Sequence, residues 1–399
     1  MNLTKEAANS LLPHLSALRR ELHRHPELAL EEHQTARLIE RELDALNIPH
    51  QRVGQTGVLG LLRGGRPGSG AVALRADIDA LPIQEQNDCP FRSSHDGVMH
   101  ACGHDAHTAM LLGASKLLAE RRDAWSGEVR LMFQPAEETG KGAPDFLAAG
   151  CLDGVNRVFG LHVAPDLPIG TVGIKPGLNN AAVDGFRILI RGRSSHVSNP
   201  QLGVDALYIG SHIVTALQAQ VTRRTSPVEP VILGIGSFHS GTTYNALAET
   251  AVLEGTTRTI SPASRQRARE QVEFTASGIA AMYGGTAQVT WDDIASALVN
   301  DPPASREAAE LIAALRPDLT VTTSRPLSMG GDNVSEFLLK VPGVYAYLGV
   351  SNPQKPETLA PLHSGRFQLD EDVLPTGAWL YAACAAHWLK QERETGESL

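Results

Sequence analysis

The sequence predicts an α/β protein built on a mixed sheet, with a smaller βαββαβ module inserted into it. Two observations lead there. Short apolar runs at 57–62, 71–76, 128–133 and 155–161 read as strands, and helical stretches with apolar residues at a period near 3.6 alternate with them. From about residue 182 the pattern changes to strand 184–190, helix 203–221, strands 228–239 and 248–259, helix 262–282 and strand 286–291, which is the split βαβ order. A chain of 399 residues exceeds one ordinary core. The expected division is therefore a larger domain over 1–181 and 298–399, with the module at 182–297 between its two parts.

In chain order, residues 3–47 read as two helices. Leu11, Leu15, Leu18 and Leu22 recur at helical spacing, Pro26 breaks the run, and 31–46 resumes it. His23 and His25 beside Pro26 read as supporting polar structure. Strands 57–62 and 71–76 flank the turn Gly64-Gly65-Arg66-Pro67-Gly68, and the second delivers Asp77 and Asp79. Carboxylates two apart on an extended segment share a face. Met99-His100-Ala101-Cys102-Gly103-His104-Asp105-Ala106-His107-Thr108 precedes a helix at 108–120. Strand 128–133 ends in Gln134-Pro135-Ala136-Glu137-Glu138, and strand 155–161 ends in Leu161-His162-Val163. After the module, Asn300-Asp301-Pro302-Pro303 leads to helix 304–315, an apolar stretch at 341–348, Leu362-His363-Ser364 and a final helix at 375–389.

The formal charge of −9 and the lack of any basic run argue against a nucleic-acid partner. No apolar run approaches the roughly 18 residues of a membrane span. The four cysteines, Cys89, Cys102, Cys151 and Cys384, are scattered without framework spacing. With a polar N-terminus, that pattern leads to the expectation of a cytoplasmic protein with free thiols.

Residues 99–108 hold three histidines, a cysteine and an aspartate within ten positions. A thiolate and imidazoles so close together are the ligands of Zn²⁺ or a similar transition ion. Further metal-competent residues follow other strands: Asp77 and Asp79, Glu137 and Glu138, and His162. Open α/β sheets collect their sites at the carboxyl ends of strands, so these residues are expected to meet. Adjacent Glu137 and Glu138 cannot face the same way; one can bind metal while the other carries the proton that hydrolysis needs. His100 and His107 read as hydrogen-bonding supports of the ligands, and Cys89, Cys151 and Cys384 as structural.

In these segments the chain resembles the metal-dependent amidohydrolases of the hippurate hydrolase, bacterial aminoacylase and plant auxin-conjugate hydrolase group. The carriers are Leu22-His23-Arg24-His25-Pro26-Glu27, 75–82, 99–108, 133–138, 159–163 and Leu362-His363-Ser364. The resemblance implies a zinc-peptidase-like catalytic domain with a ferredoxin-like lid and dimerisation domain. It implies two divalent ions, Zn²⁺ or Mn²⁺, on Cys102, His104, Glu138, His162 and His363. Cys102 would be shared, with His104 and His162 completing one ion and Glu138 and His363 the other. Asp77 and Asp79 would orient ligands from outside the coordination shell. Glu137 would be general base and acid, and His196 in the inserted domain would stabilise the oxyanion, reaching across from the partner subunit in dimeric relatives. Asn245 and Arg258 would bind the substrate carboxylate or the intermediate.

The implied activity is cleavage of an N-acyl amino acid by metal-activated water in a homodimer. A dipeptidase or small carboxypeptidase, a hydrolase of another aromatic or small amide, and an inactive metal-stabilised binding protein are the alternatives. Two segments depart from the group. Gly331-Asp332-Asn333-Val334 stands where Ser-Glu-Asp-Phe is usual, and Ser194-Ser195-His196-Val197-Ser198-Asn199 replaces a small, Gly/Ala-rich stretch. Neither removes a ligand or Glu137; both bear on which acyl group and amino acid are gripped.

Overall fold

The computed structural model describes residues 3–396. The chain divides into two compact units. The first runs to Gly177 and resumes over Val299–Pro326 and from Asn333 onward; the second holds Leu178–Leu298 and Leu327–Asp332. Residues 327–332 thus group with the inserted module, although the sequence reading places them in the returning part of the larger domain.

The first unit opens with α1 (Lys5–Asn9), α2 (Leu12–Arg24) and α3 (His33–Ala45), three helices where the leucine spacing predicts two. Pro13 stands in the first turn of α2, where its missing N–H costs nothing, and this restarts the helix after Asn9. Leu15, Leu18 and Leu22 still form one buried face. Next come β1 (His50–Val53), β2 (Gly57–Arg63), β3 (Arg66–Asp77), α4 (His104–Ala119), β4 (Ser126–Gln134), α5 (Gly142–Ala148), β5 (Val155–Pro168) and β6 (Thr171–Gly173). Helix α4 begins four residues earlier than predicted, so His104, Asp105 and His107 lie in its first turn, with Cys102 just before it. It is buried over nearly its whole length, and its packing is tight: a Cβ on Gly113 would meet Leu15 of α2 and Ala378.

A short β7 (Gly177–Asn180) leads into the second unit, made of β8 (Ala182–Arg191), α6 (Ala206–Arg224), β9 (Ile232–Ser240), β10 (Thr250–Thr259), α7 (Pro262–Met282) and β11 (Thr286–Ala295). The β-α-β-β-α-β order matches the sequence reading. The antiparallel sheet runs β11-β8-β10-β9. Phe186, Ile188 and Ile190 alternate onto one face of β8 and pack with Ile209, Ile213 and Leu217 of α6 and Val272 and Ala276 of α7. Each of the larger of these side chains contributes about 1.5–3 kcal/mol on burial, and Ala276 less. Both helices start on caps: the Asp205 carboxylate accepts from Leu207 and Tyr208 N–H, and Ser261 and Ser264 form a reciprocal capping box.

The chain returns through β12 (Leu298–Asn300), α8 (Pro302–Leu315), β13 (Thr320–Thr322), α9 (Ser335–Leu338), β14 (Gly343–Ser351) and α10 (Leu374–Gly396). The large sheet has the order β1-β2-β4-β3-β5-β14-β6-β13. Strands β4, β3, β5 and β14 run parallel at its centre, and β1–β2, β2–β4 and β14–β6 pair antiparallel. Asp77 lies opposite Gln134, so β3 and β4 end level and their following loops emerge side by side. Strand β5 does not end at His162 as predicted; it continues to Pro168, and His162 pairs with Tyr347 of β14 inside the sheet. Behind the sheet, Tyr381 of α10 donates to the Arg75 carbonyl at 2.7 Å, tying the longest helix to β3 two residues before Asp77.

Candidate metal centre

Gly103 takes a left-handed φ of +89° and turns the chain into α4, placing Cys102 just before the helix and His104 on its first residue. A Cβ here would lie 2.5 Å from Val163 Cγ2. We expect Gly103→Ala to cost about 1–3 kcal/mol from backbone strain and overpacking together, read as a lower urea midpoint at unchanged m-value. An unshifted midpoint would contradict this account of the turn.

Ligand-type atoms of Cys102, His104 and His162 lie within 4.8 Å of one another, and so do those of Cys102, Glu138 and His363. Cys102 belongs to both groups. Glu137 falls in a further group with His104 and Glu138 but in neither that contains Cys102. The structure therefore brings Cys102, His104, Glu137, Glu138, His162 and His363 together. Asp77 forms a further such group with His104 and His107, its Oδ2 lying 3.7 Å from His104 Nε2, and Asp79 meets His104 on the opposite ring nitrogen.

The imidazoles of His104 and His162 are each held by one nitrogen. His104 Nδ1 meets the Asp79 carbonyl at 3.0 Å and Asp79 Oδ1 at 3.2 Å, which turns Nε2 toward the cluster. His162 Nδ1 lies 2.7 Å from the Val163 carbonyl, leaving Nε2 at 3.4 Å from Cys102 Sγ. Burial, reinforced by nearby His107, lowers the His162 pKa well below 6.5 and keeps the ring neutral, the form that binds metal. His363 sits at φ +59° with its N–H on the Ala101 carbonyl at 2.8 Å, fastening its loop beside Cys102.

Supports differ in part from expectation. Asp77 accepts from His107 Nδ1 at 2.5 Å and from Arg75 Nη1 at 2.6 Å, while His107 Nε2 accepts the Val163 N–H at 2.9 Å. His107 is thus a strut between β3 and β5, as the sequence reading expects. His100 is not: it is buried and neither ring nitrogen meets a hydrogen-bond partner among the described residues. Burial pushes its pKa down to about 3, so the ring packs neutral as part of the core. Arg75 and Asn333 were missed. The buried Arg75 guanidinium binds Gln134 Oε1 and Asn333 Oδ1 as well as Asp77, and the Asn333 N–H approaches Glu137 Oε1 at 3.4 Å. A charged residue inside the otherwise apolar strand 71–76 was the available signal.

His196, Asn245 and Arg258 belong to the second unit. His196 is exposed, hydrogen-bonds Ser198 Oγ through Nδ1 at 2.6 Å and bridges to Ala246, while the Asn245 carbonyl accepts the Val197 N–H at 3.2 Å. The two residues therefore lie on adjoining segments. Half-buried Arg258 donates to Thr256 Oγ1 and to the Thr257 carbonyl; burial lowers its pKa, partly countered by Asp184.

The donor set fits divalent cations. Among the described residues, His104 Nε2 and Glu138 Oε1 are buried with no hydrogen-bond partner, although His363 Nε2 approaches Glu138 Oε1 at 3.4 Å. Such burial is costly unless a cation meets these atoms. Burial also pushes the Cys102 thiol up, a tendency that a bound cation reverses by binding the thiolate. Thiolate, imidazole and carboxylate donors at the carboxyl end of a mixed sheet, with a further carboxylate alongside, define a metal-dependent hydrolase.

The chain belongs to peptidase family M20/M25/M40, which matches residues 73–387. It is 39% identical over 373 residues to thermostable carboxypeptidase 1 of Saccharolobus solfataricus, covering 92% of this chain and 93% of the relative. It is 38% identical over 373 residues to an N-acetylcysteine deacetylase of Bacillus subtilis, covering 92% and 95%. A solved structure from Bacillus subtilis, described as a dinuclear metal-binding peptidase of the M20 family, superposes with a TM-score of 0.80 at 36% identity, over 96% of this chain and 99% of that one.

Proposed function

We propose that this protein hydrolyses the amide bond of N-acyl amino acids with two divalent cations held by Cys102, His104, His162, Glu138 and His363. The observation that carries this reading is the pair of donor groups sharing Cys102, with Glu137 beside them but outside both. The likeness to an N-acetylcysteine deacetylase supports the substrate class. When bound, the cations polarise the amide carbonyl and acidify water. Glu137 takes one proton as the water oxygen bonds to the carbonyl carbon, and delivers it to the amide nitrogen as the C–N bond breaks. The second water proton stays on the acyl product, a carboxylic acid that ionises by releasing it to solvent or to the amine. The products are that acid and a free amine, and Glu137 ends as it began. The Asn333 N–H fixes the carboxylate from the other side. Asp79 and Asp77 keep His104 and His107 in one orientation each. His196 donates to the oxyanion, and Asn245 and Arg258 receive the substrate carboxylate, for which a half-buried guanidinium is suited.

Zn²⁺ is the better match to the Cys and His donors, with Mn²⁺ the competing ion. The division at 182–297 is read as a lid and dimerisation domain. The open edge strand β9, with Ile232 and Phe238 exposed, supports pairing of two copies. The free cysteines support a cytoplasmic setting, and no described helix is long and apolar enough to cross a membrane.

The second reading is a carboxypeptidase, favoured by the similarity to the Saccharolobus enzyme. A panel of N-acetyl, N-benzoyl and long-chain N-acyl amino acids with several dipeptides, run on Zn²⁺- and Mn²⁺-loaded protein, separates the two. Turnover of the N-acyl compounds alone is expected; turnover of dipeptides alone moves the protein to the peptidase reading. Sedimentation of the same samples should give twice the mass of the chain, and a fully active monomer removes the dimer.

A further inference from the structure

The turn that carries Glu137 and Glu138 begins on Ala136, a residue with a side chain held at φ +55°. In that region Cβ crowds the following carbonyl, so the conformation persists only where its surroundings impose it. The Lys141 N–H on the Ala136 carbonyl at 3.1 Å and the Gly140 N–H on the Glu137 carbonyl at 2.9 Å close the turn from within. From outside, Asp79 Oδ2 receives the Glu138 N–H at 3.0 Å. The remaining hold comes from the far end of the sequence. Glu32 is fully buried, and its Oε1 accepts the Ala136 N–H at 2.9 Å while Oε2 accepts the Thr56 hydroxyl at 2.6 Å.

Glu32 stands at the start of α3, yet its carboxylate makes no capping bond there. The Gln34 and Thr35 N–H groups are taken by Glu27 instead. Capping therefore does not account for burying this carboxylate. Burial raises its pKa, which the Thr56 and Ala136 donors partly offset.

We propose that Glu32 is a positioning residue: its buried carboxylate latches Ala136 in the left-handed conformation and thereby aims the Glu137 and Glu138 side chains. This rests on the reading of Glu137 as proton carrier and Glu138 as cation donor. The latch acts on two functions at once, since one turn presents both residues. It also joins the α3 end of the domain to the site without touching substrate.

The test compares Glu32→Ala and Glu32→Gln, each with Ala136 and with Ala136→Gly, in Zn²⁺-loaded protein. Zn²⁺ release to a chelator is measured, together with kcat and KM separately. Glu32→Ala should speed release and lower kcat by about 10–100-fold, the size seen when supports of metal ligands are removed, with KM little changed. Glu32→Gln should keep most of both, because its amide oxygen still accepts from Ala136 and its NH₂ can donate to Thr56. Ala136→Gly should recover a large part of the Glu32→Ala loss, because glycine takes φ +55° unaided.

A folded Glu32→Ala protein with unchanged release and kcat overturns the proposal, as does a loss that Ala136→Gly leaves untouched. Should Glu32→Ala fail to fold, Thr56→Val gives the same comparison in the same direction at smaller size, and no effect there also overturns it. Glu138→Ala is the control for the underlying reading. If it releases Zn²⁺ no faster than wild type, the reading of Glu138 as a donor fails. If it releases fast while Glu32→Ala does not, only the latch fails.

Discussion

Glu137→Gln lowers kcat by about 10²–10⁴-fold, the range for removing a general acid–base group, while both cations stay bound. The substitution keeps the size of the side chain and its capacity to accept from the Asn333 N–H, but an amide cannot take a proton from water. Glu137 lies outside both groups that share Cys102, so the proposed cation donors Cys102, His104, His162, Glu138 and His363 are all left in place. Metal content by elemental analysis should therefore match wild type, and KM should change far less than kcat. Glu138→Gln gives the opposite pattern, with metal lost first and activity lost as its consequence. Full turnover in Glu137→Gln would remove it from the chemistry. Lost metal would instead make it a ligand and return the proton transfer to another group.

Much of this site is legible in the sequence because its donors sit in short segments that each follow a strand or open a helix. Cys102 and His104 share one turn, and Glu137 and Glu138 follow a buried strand directly. The inserted module is legible because β8, α6, β10 and α7 each bury one face with a clear period. The supports are harder to read. Glu32 and its partner Ala136 are separated by 104 residues, and nothing local to Glu31-Glu32 distinguishes the buried carboxylate from an exposed one. Strand β1, His50-Gln51-Arg52-Val53, has one buried residue and no apolar alternation, so only its pairing with β2 makes it a strand. His162 reads as a strand end because it interrupts the apolar run 158–161 and Pro165 follows three residues later. The backbone pairing with β14 continues regardless of that interruption.

Asp105→Ala destabilises the fold by about 3–5 kcal/mol, the cost of removing one partner from a buried ion pair. Asp105 Oδ2 receives Arg19 Nε at 2.9 Å and His23 Nδ1 at 2.8 Å, and Oδ1 receives the Ala106 N–H at 2.9 Å. Arg19, His23 and Asp105 are each no more than 1% exposed, so a guanidinium and an imidazolium would be left facing each other out of water. Glu371 and Glu85 hold the outer sides, at 3.1 Å from Arg19 Nη1 and 3.2 Å from His23 Nε2. Burial alone would push the His23 pKa down, but the hydrogen bonds to Asp105 and Glu85 and the Asp105 charge outweigh it and raise it above 6.5. The folded state then binds the His23 proton more tightly than the unfolded chain does. Its contribution is complete below about pH 6.5, the unfolded value, and is lost as pH rises through the higher folded value. Urea unfolding of wild type and His23→Gln between pH 6 and 9, at matched metal loading, isolates this term because the metal's own pH dependence is common to both. The stability difference between them should shrink as pH rises. A difference that stays flat across the range would mean that His23 is neutral in the fold and that Arg19 alone balances Asp105.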